Sequence, residues 1–411
     1  MQGRTNFPFP QQPGKHGRPE TLDALHGSGV ASLGEDAVKI NAFLGMAVLA
    51  IAVTVAMGGR RPAFAGEPSV ADYKVLAPIR HGNLTVFPVV ASSSHDTGGF
   101  LTLDEGLKSG EVEVTESGSV HGMVRRPPRG SHVTLRPEYQ VQEGAQVNKL
   151  VLVNNTKRPL LLLAGEIVTG GKQDRVIAKD RIVPAESDPI DLDVFCVEPG
   201  RWVGTSGKFA LGSVGAVMAA PSVRGKAMAD KNQQKVWDEV AKARAQMSDS
   251  LEAEAPRSSR ELSETTSYAK VMQNADVRRK VDSVAGSVEK EYASTIQQLR
   301  DRNAVGVVVA VNGELVWADI FASTSLLEKY WPKLVRSYAT EAVVTRAKGA
   351  QVSERAAQEF LADLHGRHET VDSEPGLYRH TEVSGDGFKA FELTSLLPKT
   401  GYAMHVAKMA E

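Results

Sequence analysis

Residues 305–320 read VGVVVAVNGELVWADI, two apolar runs that are separated only by Asn312 and Gly313. Both of these residues tolerate the positive φ angles of a type I′ turn, which joins two antiparallel strands through a two-residue loop. The stretch therefore predicts a β-hairpin, and it is the clearest local signal in the chain.

One amphipathic helix is predicted before this hairpin and another after it. After it, Ser325 and Glu328 have the spacing of a capping box, which marks the start of a helix. Before it, apolar residues recur every three or four positions, which is the period of one helix face. They are Val281, Val284, Val288, Tyr292, Ile296 and Leu299. The opposite face is charged, so this helix is expected to lie on a surface of the protein.

Short strand-like runs fill residues 72–218. Residues 111–116 alternate apolar and polar side chains, as a half-buried strand does. Pro88 lies inside the apolar run 84–90 and predicts an edge or bulged strand, because proline cannot donate to a ladder. The runs 149–153 and 160–163 flank a turn-rich separator, which predicts two antiparallel strands joined by a loop. Five or six such strands predict a β-sandwich or half-barrel.

The predicted fold class is therefore α+β, preceded by a signal or anchor segment. Residues 72–225 are expected to form an antiparallel β-rich N-terminal domain, a sandwich or half-barrel. Residues 226–304 form a helical segment with a mobile linker at 248–267, which is rich in Ser, Glu and Pro. Residues 305–347 are a hairpin and helix that complete the main domain. Residues 348–411 are a C-terminal α/β extension.

Charge and cysteine content argue against several classes of protein. Lys and Arg number 48 against 49 Asp and Glu, so the chain lacks the basic surplus of most nucleic-acid binders, and no nucleic acid is predicted as a partner. A single cysteine, Cys196, excludes an intramolecular disulfide and a cysteine-ligated zinc site. Its apolar neighbours predict a buried core thiol. No metal and no cofactor are predicted.

Residues 40–59 are uncharged and mostly apolar, with Lys39 before them and two arginines after them. Their length lies between a signal-peptide core and a short membrane anchor. Ala63-Phe64-Ala65 then offers small side chains at the positions that signal peptidase reads. We therefore expect a signal peptide or membrane anchor at 38–65, with the body exported, either periplasmic or secreted.

Residues 1–37 are rich in Gly, Pro and Gln and show no periodicity. They are expected to be disordered, or to be a leader added by a wrongly assigned start codon, with translation beginning at a GTG codon for Val38. If the signal is not cleaved, residues 40–59 are expected to hold the protein in the inner membrane with its body outside.

A polar cluster follows the apolar run 160–163, where residues 164–175 read AGEIVTGGKQDR. A Gly-Gly bend lets the backbone approach a ligand closely, and the lysine and arginine beside it suit an anion. Residues 198–202, EPGRW, follow another strand. If the two strands are neighbours, these side chains share one pocket. The ligand-binding candidates are Glu166, Lys172, Gln173, Arg175, Glu198, Arg201 and Trp202. A hairpin turn with structural salt bridges remains the alternative.

At these residues the chain resembles the ARG and Rhodanese-Phosphatase-superfamily-associated protein domain family. The matching stretches are 162–166, 170–175, 194–202 and the helix from Trp331 to Ala339. The likeness extends from about Val75 to Thr345, and the tail from Lys348 is expected to fall outside it. The resemblance implies an uncharacterised bacterial family with no established reaction. Through its gene neighbourhoods it points to ADP-ribose or nucleotide-related processes.

Three functions remain open. The first is an exported, non-enzymatic binding or interaction protein that presents residues 166–175 and 198–202 to a small anionic ligand or a protein partner. The second is a hydrolase or processing enzyme on an anionic, ADP-ribose or nucleotide-related substrate. In that case Glu166 or Glu198 would be the general base, with Lys172 and Arg175 holding the anion. The third is a structural envelope protein that assembles through the 281–299 helix.

The three functions predict different surroundings for the same residues. An enzyme is expected to bury Glu166 and Glu198 beside Lys172 or Arg175 in a concave pocket. A binding module is expected to show them on an open surface. A structural protein is expected to expose an apolar stripe along the 281–299 helix.

Overall fold

A computed structural model describes residues 73–117, 146–212, 215–299, 303–362 and 368–411. The predicted leader, signal peptide, start codon and membrane anchor all fall on residues 1–72 and lie outside the described residues. Within the described ranges, no helix has both the length and the apolar character that crossing a bilayer requires.

The hairpin lies inside a nine-stranded antiparallel sheet. Its strands, β14 (Asn303–Val311) and β15 (Glu314–Phe321), pair as predicted, and Asn312 and Gly313 take φ angles of 55° and 79°. The predicted hairpin is therefore confirmed. In chain order, the other strands are β1 (Lys74–Val75), β2 (Ile79–His81), β3 (Leu84–Ala91), β16 (His368–Glu374), β17 (Tyr378–Ser384), β18 (Phe388–Ser395) and β19 (Ala403–Ala410).

This sheet joins distant parts of the chain in the order β1-β3-β14-β15-β19-β18-β17-β16, with β2 also paired to β3. One face packs on two long helices, α6 (Ala275–Gln297) and α7 (Thr324–Val344). The other face is covered by α8 (Glu354–Ala362). The C-terminal strands therefore share a sheet with the hairpin.

Pro88 lies in an interior strand, so the prediction of an edge strand is wrong. β3 pairs with β14 on one side and with both β1 and β2 on the other. The Pro88 carbonyl accepts a hydrogen bond from the Leu76 N–H at 2.8 Å. Pairing with β2 ends at Val86 and pairing with β1 begins at Val89, so the missing N–H of proline falls between them. The bulge lies in β14, where Val305 is the extra residue.

A closed six-stranded barrel replaces the predicted sandwich or half-barrel. Its strands are β5 (Val112–Glu116), β6 (Lys149–Asn154), β8 (Glu166–Gly170), β9 (Arg175–Ile177), β11 (Ile190–Cys196) and β12 (Phe209–Ala210). The ring closes because β12 pairs with both β5 and β8. β13 (Val217–Met218) pairs with β8 beyond this ring. Val114, Leu152, Val168, Ile177, Val194 and Phe209 fill one apolar cluster inside it.

The predicted pairing of runs 149–153 and 160–163 is wrong. The first run is β6 of the barrel, whereas the second is β7 (Leu160–Leu162) of a separate three-stranded sheet. In that sheet β7 lies between β4 (Leu101–Thr102) and β10 (Arg181–Val183). The Asn154 amide donates to the carbonyls of Arg158 and Pro184 at 2.8 and 2.9 Å, which turns the chain out of the barrel.

The remaining helices are α1 (Leu103–Ser109), α2 (Pro221–Gly225), α3 (Gln233–Leu251), α4 (Pro256–Glu264) and α5 (Tyr268–Gln273). A π-helical turn at Lys226–Asp230 follows α2. Residues 248–267 were expected to be a linker, yet they contain α4, which Pro256 starts at its first position. The α7 helix is capped by Ser323 rather than Ser325, because the Ser323 hydroxyl accepts from the Leu326 N–H at 3.0 Å.

The predicted apolar face of α6 is confirmed, and it points into the core. Val281, Val288 and Tyr292 are buried, and the Tyr292 ring lies 4.4 Å from the Trp331 ring of α7. The stripe that an assembly protein would expose is therefore covered by the protein's own helix.

Candidate functional site

A cavity of about 350 Å³ lies beside the barrel wall, where the β8–β9 hairpin faces the chain after β11 and helix α5. Every residue that lines it, except Gly170, has a polar or charged side chain. The lining consists of the Gly170 backbone, the hydroxyls of Thr169, Thr205 and Ser206, the carboxylates of Asp174 and Glu198, the cations of Arg201 and Lys270, and the amide of Gln273. The cavity therefore offers both donors and acceptors.

The glycines of the β8–β9 turn are required by the protein's own packing. Gly170 and Gly171 have φ angles of 127° and 50°, which favour glycine. A Cβ on Gly171 would lie 2.3 Å from the Phe209 ring, and one on Gly170 would lie 2.5 Å from the Ser206 hydroxyl. The glycines were expected to let a ligand approach the backbone closely. The structure shows that β12 and the loop before it occupy this space instead.

Arg201 braces the loops around the cavity. Its Nη2 lies 2.6 Å from Oε2 of Glu198 and 3.6 Å from Oδ1 of Asp174. Its Nη1 donates to the carbonyls of Gly171 at 3.1 Å and Val203 at 2.8 Å. The guanidinium is thus largely occupied by the protein and holds the hairpin against the chain that follows β11.

Asp174 connects the hairpin to helix α5. Its Oδ1 accepts from the Gly170 N–H at 3.1 Å, and its Oδ2 accepts from the Ser267 hydroxyl at 2.9 Å. Burial raises the pKa of Asp174, and the charge of Glu198 raises it further. Asp174 therefore binds a proton more readily than a solvent-exposed aspartate does, and it lines the cavity beside Glu198.

Lys270 and Gln273 project from α5 with hydrogen-bonding capacity to spare. Within the described ranges neither side chain makes a hydrogen bond or an ion pair, and both line the cavity. The formal charges of Asp174 and Glu198 are matched by those of Arg201 and Lys270. The cavity is thus electroneutral overall, which suits a neutral or zwitterionic polar molecule.

Glu166 lies apart from this cavity, at the opposite end of β8 from Gly170. Its Oε1 pairs with Lys333 Nζ, and its Oε2 accepts from the Leu163 N–H at 2.7 Å. Lys333 also bonds Asp104 of α1 at 2.7 Å. Burial raises the pKa of Glu166 to about 6, although Lys333 opposes the shift. The structure therefore does not bring Glu166 to the other candidates. Instead, Lys333 of α7 binds both Glu166 of β8 and Asp104 of α1 and so holds these three elements together.

Arg175 and Gln173 are buried at the base of the hairpin. The Gln173 amide donates to the Glu198 carbonyl at 3.0 Å, and Arg175 Nη1 donates to the Gln173 carbonyl at 2.8 Å. Lys172 Nζ and Arg175 Cζ lie 5.0 and 6.0 Å from the centre of the Trp202 ring.

Of the seven sequence candidates, Glu198 and Arg201 line the cavity itself. Glu166 and Glu198 are both buried, so the open surface expected for a binding module is not found. The shared pocket expected for an enzyme is not found either, because Glu166 lies outside this cavity.

Cys196 is fully buried beside Arg175, as its sequence context predicted. Burial raises the pKa of its thiol, which therefore stays protonated at neutral pH. Among the described residues, no group of three or more His, Cys, Asp or Glu side chains is placed to hold a metal ion.

A buried chain of charges lies elsewhere and was not foreseen from the sequence. The Arg224 guanidinium donates to both oxygens of Asp319, at 2.9 and 3.1 Å. His405 bridges Asp319 at 3.0 Å and Asp180 at 2.5 Å. Burial alone would lower the pKa of His405, but the charges and hydrogen bonds of the two carboxylates outweigh it and raise the pKa to about 9.

A sequence model of the ARG and Rhodanese-Phosphatase-superfamily-associated Protein domain matches residues 72–408. The match extends through the tail from Lys348, which was expected to lie outside it. The fold explains the extension, because β19 pairs directly with β15 of the hairpin and the tail completes the same sheet. No curated protein and no solved structure matches the chain.

Proposed function

The chain belongs to the ARG and Rhodanese-Phosphatase-superfamily-associated Protein domain family, and from this premise we propose that it is a non-enzymatic binding protein for a small polar molecule. The ligand occupies the 350 Å³ cavity between the β8–β9 hairpin and α5. The protein works outside the cytoplasm, a proposal that rests on the apolar segment and small-residue site within residues 38–65.

The observation that carries this proposal is that some cavity side chains are fully bonded to the protein, whereas others have no hydrogen-bond partner among the described residues. Arg201 and Asp174 are held by several protein contacts each, so they fix the shape of the site. Lys270 and Gln273 are left to make new hydrogen bonds. A rigid frame with a few uncommitted polar groups is what pre-organised binding of a small ligand requires.

The size and charge of the cavity narrow the class of ligand. A volume of about 350 Å³ is at the small end of ligand pockets, which fits a molecule the size of a monosaccharide or an amino acid. Because the cavity's charges balance, a neutral or zwitterionic ligand avoids burying an uncompensated charge. This cavity therefore favours such a ligand over the anionic one expected from the sequence.

A thermal-shift assay of the purified protein against a panel of monosaccharides, polyols and free amino acids tests the proposal. We expect at least one class to raise the melting temperature, since a ligand that binds only the folded state stabilises it. The effect should disappear in Lys270→Ala and Gln273→Ala. It should persist in Lys290→Ala, which removes an exposed lysine of α6. A panel that leaves the wild-type melting temperature unchanged would count against the proposal.

A second candidate function is acid–base hydrolysis in the same cavity. Its support is that Asp174 and Glu198 line one site while burial and the neighbouring charge raise the pKa of Asp174. A carboxyl with a raised pKa beside a second carboxyl is an arrangement that acid–base hydrolysis uses. Its weakness is that both Asp174 oxygens already accept hydrogen bonds from the protein.

Chromogenic nitrophenyl esters, phosphates and glycosides separate the two functions. The binding proposal expects no turnover of any of them above the uncatalysed rate. If one is hydrolysed and Glu198→Gln abolishes the activity while the melting temperature is retained, hydrolysis replaces binding as the function of this cavity.

A further inference from the structure

The barrel interior ends in charged side chains on one side. Arg175 is two residues before Ile177 on β9, so both side chains point to the inner face. Glu116 is two residues after Val114 on β5, so its side chain also points to the inner face. Arg175 is 0% exposed and Glu116 is 7% exposed. A buried arginine and a buried glutamate therefore cap the apolar interior at this end.

The guanidinium of Arg175 has one edge without partners. Nη1 is used by the Gln173 carbonyl, but Nε and Nη2 have no hydrogen-bond partner in the part of the chain that the structure describes. Nη2 lies 4.0 Å from Oε2 of Glu116, which is too long for a hydrogen bond. The other oxygen of Glu116 accepts from the Lys172 N–H at 2.7 Å and is held there. Buried donors left in this state are rare in native proteins and call for an explanation.

We propose that this edge of Arg175 is the anchor of a second ligand site, which takes the carboxylate of a small organic acid. Nε and Nη2 are coplanar donors in the fork geometry that a carboxylate accepts with two parallel hydrogen bonds. The site is separate from the cavity at α5, because Arg175 does not line that cavity. The inference therefore stands independently of the proposed function.

The charges around Arg175 leave room for one negative charge. Lys172 makes no ion pair within the described ranges, and its Nζ lies against the Trp202 ring. The charges of Glu198 and Asp174 are matched by that of Arg201, which pairs with both, and by that of Lys270, which lines the same cavity. Lys172, Arg175 and Glu116 together carry a formal charge of plus one. A monoanion neutralises this group, whereas a dianion would reverse its charge.

Trp202 lies between the Arg175 guanidinium and the protein surface in the proposed site, with its ring centre 6.0 Å from Arg175 Cζ. Its side chain is 42% exposed, and that of the adjacent Val203 is 71% exposed. A Cβ on Gly200 or Gly204 would meet no atom within 4 Å, so the two glycines that flank Trp202 lie in open space. In the proposed site this ring moves aside to admit the ligand, and its indole face suits an apolar or aromatic body attached to the carboxylate.

Isothermal titration of the full-length protein with sodium benzoate and sodium acetate tests the site, with chloride and inorganic phosphate as comparison anions at equal ionic strength. We expect saturable binding of benzoate, weaker binding of acetate, and no saturable binding of chloride or phosphate. Arg175→Lys keeps the charge but removes the two-donor edge, so the affinity for benzoate should fall at least about tenfold. Equal affinity in the folded Arg175→Lys protein, or phosphate binding as tight as benzoate, would overturn the proposal.

Glu116→Gln provides a second test of the site, which can be used if the Arg175→Lys protein does not fold. This variant removes the competing carboxylate and raises the local charge, so benzoate should bind several-fold more tightly at about neutral pH. Unchanged or weaker binding contradicts the proposal. Lys270→Ala and Gln273→Ala should leave benzoate binding as it is in the wild type, which distinguishes failure of this site from failure of the cavity at α5.

Discussion

The Ser267 hydroxyl donates to Asp174 Oδ2 at 2.9 Å and accepts from the Lys270 N–H at 3.1 Å. One side chain thus caps α5 and fastens it to the β8–β9 hairpin of the barrel. The α5 helix supplies Lys270 and Gln273, and the Tyr268 N–H also holds it by donating to the Val197 carbonyl at 3.0 Å. The Ser267 link therefore helps to set the shape of the cavity. Its position, 93 residues along the chain from Asp174, explains why the pocket is not visible as a contiguous motif.

Ser267→Ala is expected to lower the free energy of unfolding by about 1–2 kcal/mol, because a helix cap and a buried hydrogen bond are lost together. Urea denaturation measures the change. Ser263→Ala is the matched control, since the exposed Ser263 hydroxyl bonds only the Arg260 carbonyl, and its effect should stay within about 0.5 kcal/mol. Equal effects in the two variants would show that Asp174 gains nothing from Ser267.

Lys333→Met is expected to destabilise the protein by about 3–5 kcal/mol, because it leaves the buried carboxylate of Glu166 and the partly buried carboxylate of Asp104 without their cation. Lys329 provides a matched control one turn earlier on α7, where it pairs with Glu105 but remains partly exposed. Lys329→Met should cost no more than about 1 kcal/mol. Chemical denaturation of both variants compares them, and a smaller loss in Lys333→Met than in Lys329→Met would contradict the role assigned to burial.

Local signals in the sequence predicted the elements that depend on neighbouring residues. The hairpin at Asn312-Gly313 was predicted because a two-residue turn is set by its own φ preferences. The buried face of α6 was predicted because helical periodicity reports which side faces the core. Both features are decided within about twenty residues of chain.

The closure of the barrel could not be predicted in this way. Its last strand, β12, has only two residues, Phe209 and Ala210, which is too short to show any periodicity. The pairing of β7 was also missed, because an apolar run has the same pattern whichever strand lies beside it. Strand order depends on contacts between distant residues, and no local spacing encodes it.

The candidate site was predicted in part for the same reason. Glu198 and Arg201 were found because charged residues at a strand end stand out from an apolar run. Glu166 was grouped with them by proximity in sequence, although β8 carries it away from the cavity. Lys270 and Gln273 were missed because nothing in the pattern of their short helix marks these two side chains as part of a site. The start of the helix could have been recognised, since Ser267 is a typical N-cap before its apolar residues.

Gly171→Ala tests whether the hairpin packing closes the barrel. Alanine at this position would take a φ of 50° and place its Cβ 2.3 Å from the Phe209 ring of β12. We expect a loss of stability of about 3 kcal/mol or more from strain and clash together. Gly82→Ala is the control, because Gly82 has a φ of 59° but open space around its Cβ, and it should lose only about 1–2 kcal/mol. Thermal and urea unfolding of the pair separate the backbone penalty from the clash.

The buried His405 is expected to make the folded protein less stable as the pH becomes alkaline. Its pKa is raised from a usual value of 6.5 to about 9 in the folded state, because the protonated ring lies between Asp180 and Asp319. A raised histidine pKa means that the folded state binds the proton more tightly than the unfolded state. The contribution is therefore fully present below pH 6.5 and is lost as the pH rises through 9. By linkage it amounts to about 3 kcal/mol.

Unfolding free energies measured between about pH 6 and pH 10 check this expectation. In His405→Gln the imidazolium is absent, so the decline over this range should be shallower than in the wild type by about 3 kcal/mol. His81→Gln, which replaces a partly exposed histidine of β2, should decline in parallel with the wild type. If the unfolding free energies of His405→Gln and the wild type fell in parallel with pH, the Asp180 and Asp319 carboxylates would not be holding a proton on His405. The side chains from Arg224 to Asp180 would then be linked through a neutral histidine.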